Sequence, residues 1–387
     1  MTLSADLTIN LKSIAHNWLL LKAKLSSGVD CGAVVKADAY GVGMESVVGA
    51  LLKVGCRSFY VSRLSEALAV RSVLVGLEDT LGVRVSESRI YALAGCAPGD
   101  EIDFIRHRLI PVLISAEMIS RWREALKKAG MRAGSVPSVI KLDTGMGRLG
   151  LESVELEAVL AQPLALEQSG VLMIMSHLAC ADEPEHRHNH SQLREFKEAL
   201  RRFREILPSV RASLANSAGI FLGEDYHFDA VRPGIALYGG NPQPAFDNQV
   251  LQVVNLHLPI LQLKNLPSGA FVGYGASYQF DSPARVAVIA GGYADGLMRS
   301  LSGRGECWVS SPVSPGDGWR VPVVGRISMD SFVVDVTFVP EGVVQVGARL
   351  EVIGGHILLD EVATWAGTSS YEILTSLGAR YQRNYLT

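Results

Sequence analysis

Cysteine is scarce and scattered in this 387-residue chain. Its five cysteines, Cys31, Cys56, Cys96, Cys180 and Cys307, form no C-x-x-C pair and are odd in number. That argues against a zinc framework or a disulfide scaffold and fits a reducing cytoplasm. No uninterrupted apolar stretch reaches the ~18 residues of a membrane span. The first ten residues carry Asp6 and lack the basic-then-apolar order of a signal peptide. Positive charge is not in excess either, since 36 lysines and arginines face 39 aspartates and glutamates for a net charge of -3. No nucleic acid and no membrane is therefore expected as a partner; the expectation is a soluble, cytoplasmic protein that binds a small molecule.

What is present is apolar bulk, 48% of the chain, enough for more than one core, and the length favours a large domain with a smaller one. Residues 6–11 alternate like a short strand, and Ile14, Trp18, Leu21 and Leu25 then recur at helical spacing. The apolar run 33–35 ends at Lys36. After it, strand candidates at 59–61, 90–93, 110–114, 138–142, 171–175, 212–215 and 229–231 alternate with helical stretches such as 117–129 and 192–207. That makes about eight strands with helices between them, the number a closed (β/α)8 TIM-like barrel needs. Beyond Asn241 the helical periods fade into short β-branched runs separated by Gly, Pro, Ser and Asp, which predicts a mostly β C-terminal domain. The expected division is 1–11, a strand joining the β domain; 12–240, the barrel; and 241–387, the β domain.

Polar residues recur where the barrel strands end: Lys36 after the first, Lys141 and Asp143 at the fifth, His177 after the sixth, Asn216 and Ser217 after the seventh, Arg232 after the eighth. A lone His or Asn there is ordinarily a capping or core residue. Repetition on strand after strand points instead to one functional face, because a β/α barrel gathers these ends at a single mouth. His186, His188 and His190 suggest a metal, but their alternate spacing at a helix start does not put all three on one helical face, and Arg187 adds positive charge among them. No metal site is expected.

The segment Ala33-Val34-Val35-Lys36-Ala37-Asp38-Ala39-Tyr40-Gly41 resembles the pyridoxal-phosphate attachment motif of alanine racemases, and the resemblance extends along nearly the whole chain. Lys141-Leu142-Asp143-Thr144-Gly145-Met146-Gly147-Arg148-Leu149-Gly150, Ser176-His177-Leu178-Ala179-Cys180-Ala181-Asp182, Asn216-Ser217-Ala218-Gly219 and Arg232-Pro233-Gly234-Ile235 are similar to further segments of that family. So are Gly273-Tyr274-Gly275, Gly291-Gly292-Tyr293 and Ser328-Met329-Asp330 in the β domain. The resemblance implies a fold-type III enzyme that interconverts L- and D-alanine by two bases, supplying D-alanine for peptidoglycan. Lys36 would carry pyridoxal 5'-phosphate as a Schiff base and serve as one base, with Tyr274 of a homodimer partner as the other.

In the same implied scheme Tyr40, Asn216, Ser217, Gly234 and Ile235 hold the phosphate side, and Arg232 faces the pyridine nitrogen. His177, held by Arg232, orients Tyr274 and lowers its pKa. Arg148 lies near the substrate carboxylate, steadied by a carbamylated Lys141, while Tyr293, Met329 and Asp330 line the substrate entrance and carboxylate pocket. Two departures stand out. Residues 72–90 look like a surface insertion, and a further phosphate tyrosine near the C-terminus has no assigned position, with Ala379 in its expected place. A racemase of serine, lysine or several amino acids remains open. An amino-acid decarboxylase on the same kind of barrel conflicts with Arg232, because such enzymes place a carboxylate at the pyridine nitrogen. A non-catalytic cofactor-binding barrel leaves the β domain unexplained.

Overall fold

The computed structural model describes residues 5–82, 84–314 and 316–387. Seven parallel strands follow one another around a barrel: Ala33–Val34, Ser58–Val61, Arg89–Ala92, Ile110–Leu113, Ser138–Lys141, Val171–Met175 and Arg211–Ser213. The eighth, Ala230–Val231, closes the ring. It pairs in parallel with Asp30–Cys31, the continuation of the first strand across Gly32, while Arg232 N–H donates to the Ala215 carbonyl of the seventh. Helices cover the outside, so these strands are buried on both faces. That is why Ser58–Val61, Ile110–Leu113 and Ser138–Lys141 are buried at every position and do not alternate apolar with polar residues.

The helix Leu11–Ala23 shows how the shell is built. Asn10 caps it by accepting the Ser13 N–H at 3.0 Å, and Leu11, Ile14, Trp18 and Leu21 form its buried stripe. Leu25 lies past its end. The helix Leu64–Leu81 runs through the first half of the stretch read as an insertion; residue 83 of that stretch lies outside the described residues.

Asp6–Asn10 belongs to the second sheet, antiparallel to Val254–Leu266 and parallel to Gln382–Leu386. Val254–Leu266 pairs at its two ends with different strands, so that it, Ala284–Ala290, Ser331–Asp335, Gly318–Val324, Glu306–Ser310 and Arg349–Ile353 close a second, antiparallel ring. Alternating burial in Glu306–Ser310 and Ser331–Asp335 marks one dry and one wet face. Two helices within it, Leu359–Ala366 and Ser370–Ser376, escaped the reading of this region as short β runs. They bring the β domain back against the mouth of the barrel.

Candidate active site

Lys36 begins a single turn, Lys36–Tyr40, in which Ala37, Asp38, Ala39 and Tyr40 all have φ between 53° and 57°. Left-handed backbone costs an L-residue roughly 1–2 kcal/mol, so four in succession must be held by their surroundings. Glu66 accepts the Ala37 N–H at 2.7 Å and Asp38 Oδ1 the Met44 N–H at 2.7 Å. The C-terminal segment clamps the far end, Arg383 Nε donating to the Gly41 carbonyl at 3.0 Å and Tyr385 Oη to the Val42 carbonyl at 3.1 Å. A side chain on Gly41 would sit 2.5 Å from the Leu374 carbonyl oxygen, and its φ of +83° is itself left-handed.

The turn aims Lys36 into a cavity of about 420 Å³ at the carboxyl ends of the barrel strands. Lys36, Lys141, Arg148, His177 and Arg232 line it together, and no Asp or Glu is among the lining residues. Burial lowers the Lys36 pKa, Arg148 adds to the effect and Glu66 opposes it. Burial, then Arg232, Arg148 and Lys36, brings the Lys141 ammonium down to about 8. Arg232 falls to about 10 through burial, with Tyr60 opposing. His177 is held well below its ordinary value by burial and then by Arg232 and Lys141, which leaves the ring neutral near pH 7.

Neighbouring groups fix the cations in place. Arg232 donates to Ser213 Oγ, to the Ser176 carbonyl at 2.6 Å and to the Leu214 carbonyl at 3.2 Å. None of these bonds goes to His177, yet the guanidinium lies near enough to lower the His177 pKa and still lines the cavity. Arg148 rides on a loop wrapped around Asp143, whose Oδ1 accepts the N–H groups of Gly145, Met146 and Gly147 and whose Oδ2 accepts that of Arg148. Those donors outweigh the burial penalty and hold the Asp143 carboxyl below the usual range. His188 Nε2 bonds the Gly145 carbonyl at 2.8 Å, which gives this histidine a loop-anchoring role. Among the described residues no group of three metal-ligating side chains occurs.

On the opposite wall, Asn216 caps the helix Ser217–Phe221 by accepting the Gly219 N–H at 2.9 Å. Ser217 Oγ accepts the Gly234 N–H at 2.8 Å and the Ala236 N–H at 3.3 Å. A Cβ on Gly234 would lie 2.3 Å from Tyr40 Oη, so only glycine admits the phenol there. Ile235 is buried behind it at the start of the turn Ile235–Tyr238 and does not line the cavity. Tyr371 does, with its ring 5.7 Å from that of Tyr40. Ala379, where sequence reading looked for a further tyrosine, is exposed and lies outside the cavity.

Comparison with known proteins now decides the family. Residues 9–242 match the family model "Alanine racemase, N-terminal domain" and residues 253–385 the model "Alanine racemase, C-terminal domain". The alanine racemase of Rhodospirillum rubrum is 44% identical over 382 residues, 99% of this chain and 96% of that one. The catabolic alanine racemase of Agrobacterium fabrum is 42% identical over 384 residues, 99% and 92% of the two chains. The crystal structure of the Bartonella henselae alanine racemase with covalently bound pyridoxal phosphate superposes with a TM-score of 0.89 at 37% identity, covering 99% of both chains. The chain belongs to the alanine racemase family.

Members of the alanine racemase family are isomerases that depend on pyridoxal phosphate. The residues present fit that group. A cavity walled by cations without a carboxylate accommodates an anion, and Tyr40, Ser217 and the Gly234 cradle offer hydroxyl and close backbone approach for a phosphate. Tyr274, Tyr293, Met329 and Asp330 do not line the cavity of this chain. They lie on connecting loops at the surface of the β domain, the first three 69%, 44% and 50% exposed, and Asp330 pairs with Arg380 at 2.6 Å. With Phe271, 59% exposed, Tyr274, Tyr293 and Met329 are large apolar side chains left open to solvent in the single chain.

Proposed function

We infer that this protein interconverts L- and D-alanine with pyridoxal phosphate attached at Lys36. The observation that carries this reading is the cavity itself: four lysine and arginine side chains from three different strand ends, with no acid among the lining residues, an environment that calls for a multiply anionic guest. The cofactor would supply acidification of the α-proton of the amino acid joined to it.

Lys36 Nζ takes or returns the α-proton on one face. Its lowered pKa leaves more free amine near neutrality than an ordinary lysine has. Arg232, at about 10, stays cationic and acts only as a donor, so beside the cofactor's ring nitrogen it would supply no acidic proton. Arg148 holds the substrate carboxylate, and Lys141, once converted to a carbamate, becomes an anion able to hold that guanidinium. The partner subunit's Tyr274 serves the opposite face. Its exposed position supports this sharing of sites in a homodimer. The depressed His177 pKa supports a neutral ring that serves this tyrosine as a hydrogen-bonding partner.

No helix of the described residues is long and apolar enough to cross a membrane, and all five cysteines are free thiols, which supports the reading of a cytoplasmic enzyme. Supply of D-alanine for peptidoglycan is one use of the activity. The relatives from Agrobacterium fabrum and Mesorhizobium japonicum are named catabolic, which supports alanine breakdown as the other use. Growth of a deletion strain without D-alanine separates the two.

The activity is tested by incubating the loaded enzyme with single L-amino acids and resolving products on a chiral column. D-Alanine should form fastest. Faster racemisation of serine or lysine would change the substrate, and no racemisation at all would end the reading.

A further inference from the structure

One carboxylate ties together the ends of the first and second barrel strands. Glu66 stands in the first turn of the helix Leu64–Leu81. Its Oε1 accepts the Ala37 N–H at 2.7 Å, while its Oε2 accepts the Ser62 N–H at 2.6 Å and the Arg63 N–H at 3.1 Å. The first bond enters the left-handed turn after the first barrel strand, and the other two secure the residues just past the second. Ser62 itself lines the cavity, so the bridge abuts the site at both ends.

The far end of the left-handed turn has Asp38, Arg383 and Tyr385 to hold it. At the Lys36 end, Glu66 is the side chain that accepts a backbone donor among the described residues. Charge points the same way. Arg148 lowers the Lys36 pKa from the barrel mouth, and Glu66 is the acid set against it.

We propose that Glu66 is a positioning residue for Lys36: its carboxylate locks the left-handed turn to the end of the second barrel strand and so fixes where the lysine amine enters the cavity. This rests on the reading of Lys36 as the cofactor-bearing base and deepens it. Two acceptor oxygens are required, one for each strand end. A glutamine offers one oxygen and turns an N–H₂ donor toward backbone N–H groups on the other side, so it serves only half of the bridge.

Hydrogen exchange and kinetics on Glu66→Gln and Glu66→Ala test this, in the loaded enzyme and after cofactor removal. In cofactor-free Glu66→Gln the amides of residues 37–40 should exchange about 10-fold faster than in the unmodified protein, the effect of losing roughly one hydrogen bond. Amides of the strand Val171–Met175 should not change. In the loaded enzyme kcat should fall about 10- to 100-fold with KM within about threefold, because a displaced base weakens the chemical step more than substrate capture. Glu66→Ala should move every quantity further in the same direction.

Unchanged exchange at 37–40 overturns the proposal, and so does faster exchange spread evenly through the barrel. A loosened turn with normal kcat and KM overturns the positioning role. If the unmodified enzyme racemises nothing, the activity assigned above has failed, and the exchange contrast in the cofactor-free protein still decides whether Glu66 locks the turn.

Discussion

Replacing Lys141 with methionine removes a buried cation from the company of Arg232, Arg148 and Lys36 while keeping the apolar length of the side chain. Lys141 is 7% exposed, and burial with those three neighbours brings its pKa from 10.5 to about 8. A displacement of that size amounts to roughly 3 kcal/mol between the two protonation states. The folded value lies below the unfolded one, so between those two values the folded protein binds fewer protons than the unfolded chain. Stability therefore rises with pH through that window, and the penalty is present in full below it. Cofactor-free Lys141→Met should be more stable than the unmodified protein by about 1–3 kcal/mol at pH 7 in urea denaturation, with the advantage shrinking toward zero near pH ~10. Subtracting the two proteins removes groups that titrate in both, Arg232 among them. Bicarbonate should stabilise the unmodified protein, where a carbamate can form on Lys141 Nζ, and leave Lys141→Met unaffected. A methionine variant less stable at pH 7, or an advantage that does not change with pH, would refute the reasoning.

Gly234→Ala places a Cβ 2.3 Å from Tyr40 Oη, and Tyr40, buried against Tyr238 and Tyr371, has little room to yield; strain of about 1–3 kcal/mol should weaken cofactor binding about 10- to 100-fold in absorbance titrations of the cofactor-free protein. Normal binding would show that Tyr40 relaxes freely. Asp143→Ala releases four backbone N–H groups that shape the Arg148 loop, and kcat/KM for alanine should fall about 100-fold, chiefly through KM. Mixing inactive Lys36→Ala and Tyr274→Phe proteins under subunit exchange should restore about a quarter of normal activity, since half of the dimers are mixed and each mixed dimer has one complete site. No recovery with exchange confirmed would mean that the site is built within one chain.

Much of the architecture was legible because the physics was local. Parallel strands buried on both faces appear as apolar runs, Ile110–Leu113 among them, and helices such as Leu11–Ala23 carry a cap and a stripe. The carboxyl ends of those strands gather Lys36, Lys141, His177, Ser217 and Arg232 because barrel topology brings them to one mouth. What stayed hidden depends on contacts between distant parts. Tyr371 reaches the cavity only because Ser370–Ser376 folds back from the β domain, and no spacing announces that. Glu66 sits three residues after Arg63, where a Ser or Thr would have signalled a capping box. The neutrality of His177 comes from burial beside Arg232 and Lys141, an effect of packing that a motif does not carry.

Two lysines face the same cavity, and the account stands on which of them carries the cofactor. Borohydride reduction of the loaded protein followed by peptide mass mapping answers this directly. The pyridoxyl mass should appear on the peptide containing Lys36, at the left-handed turn. Its appearance on Lys141, or on neither lysine, would contradict the account.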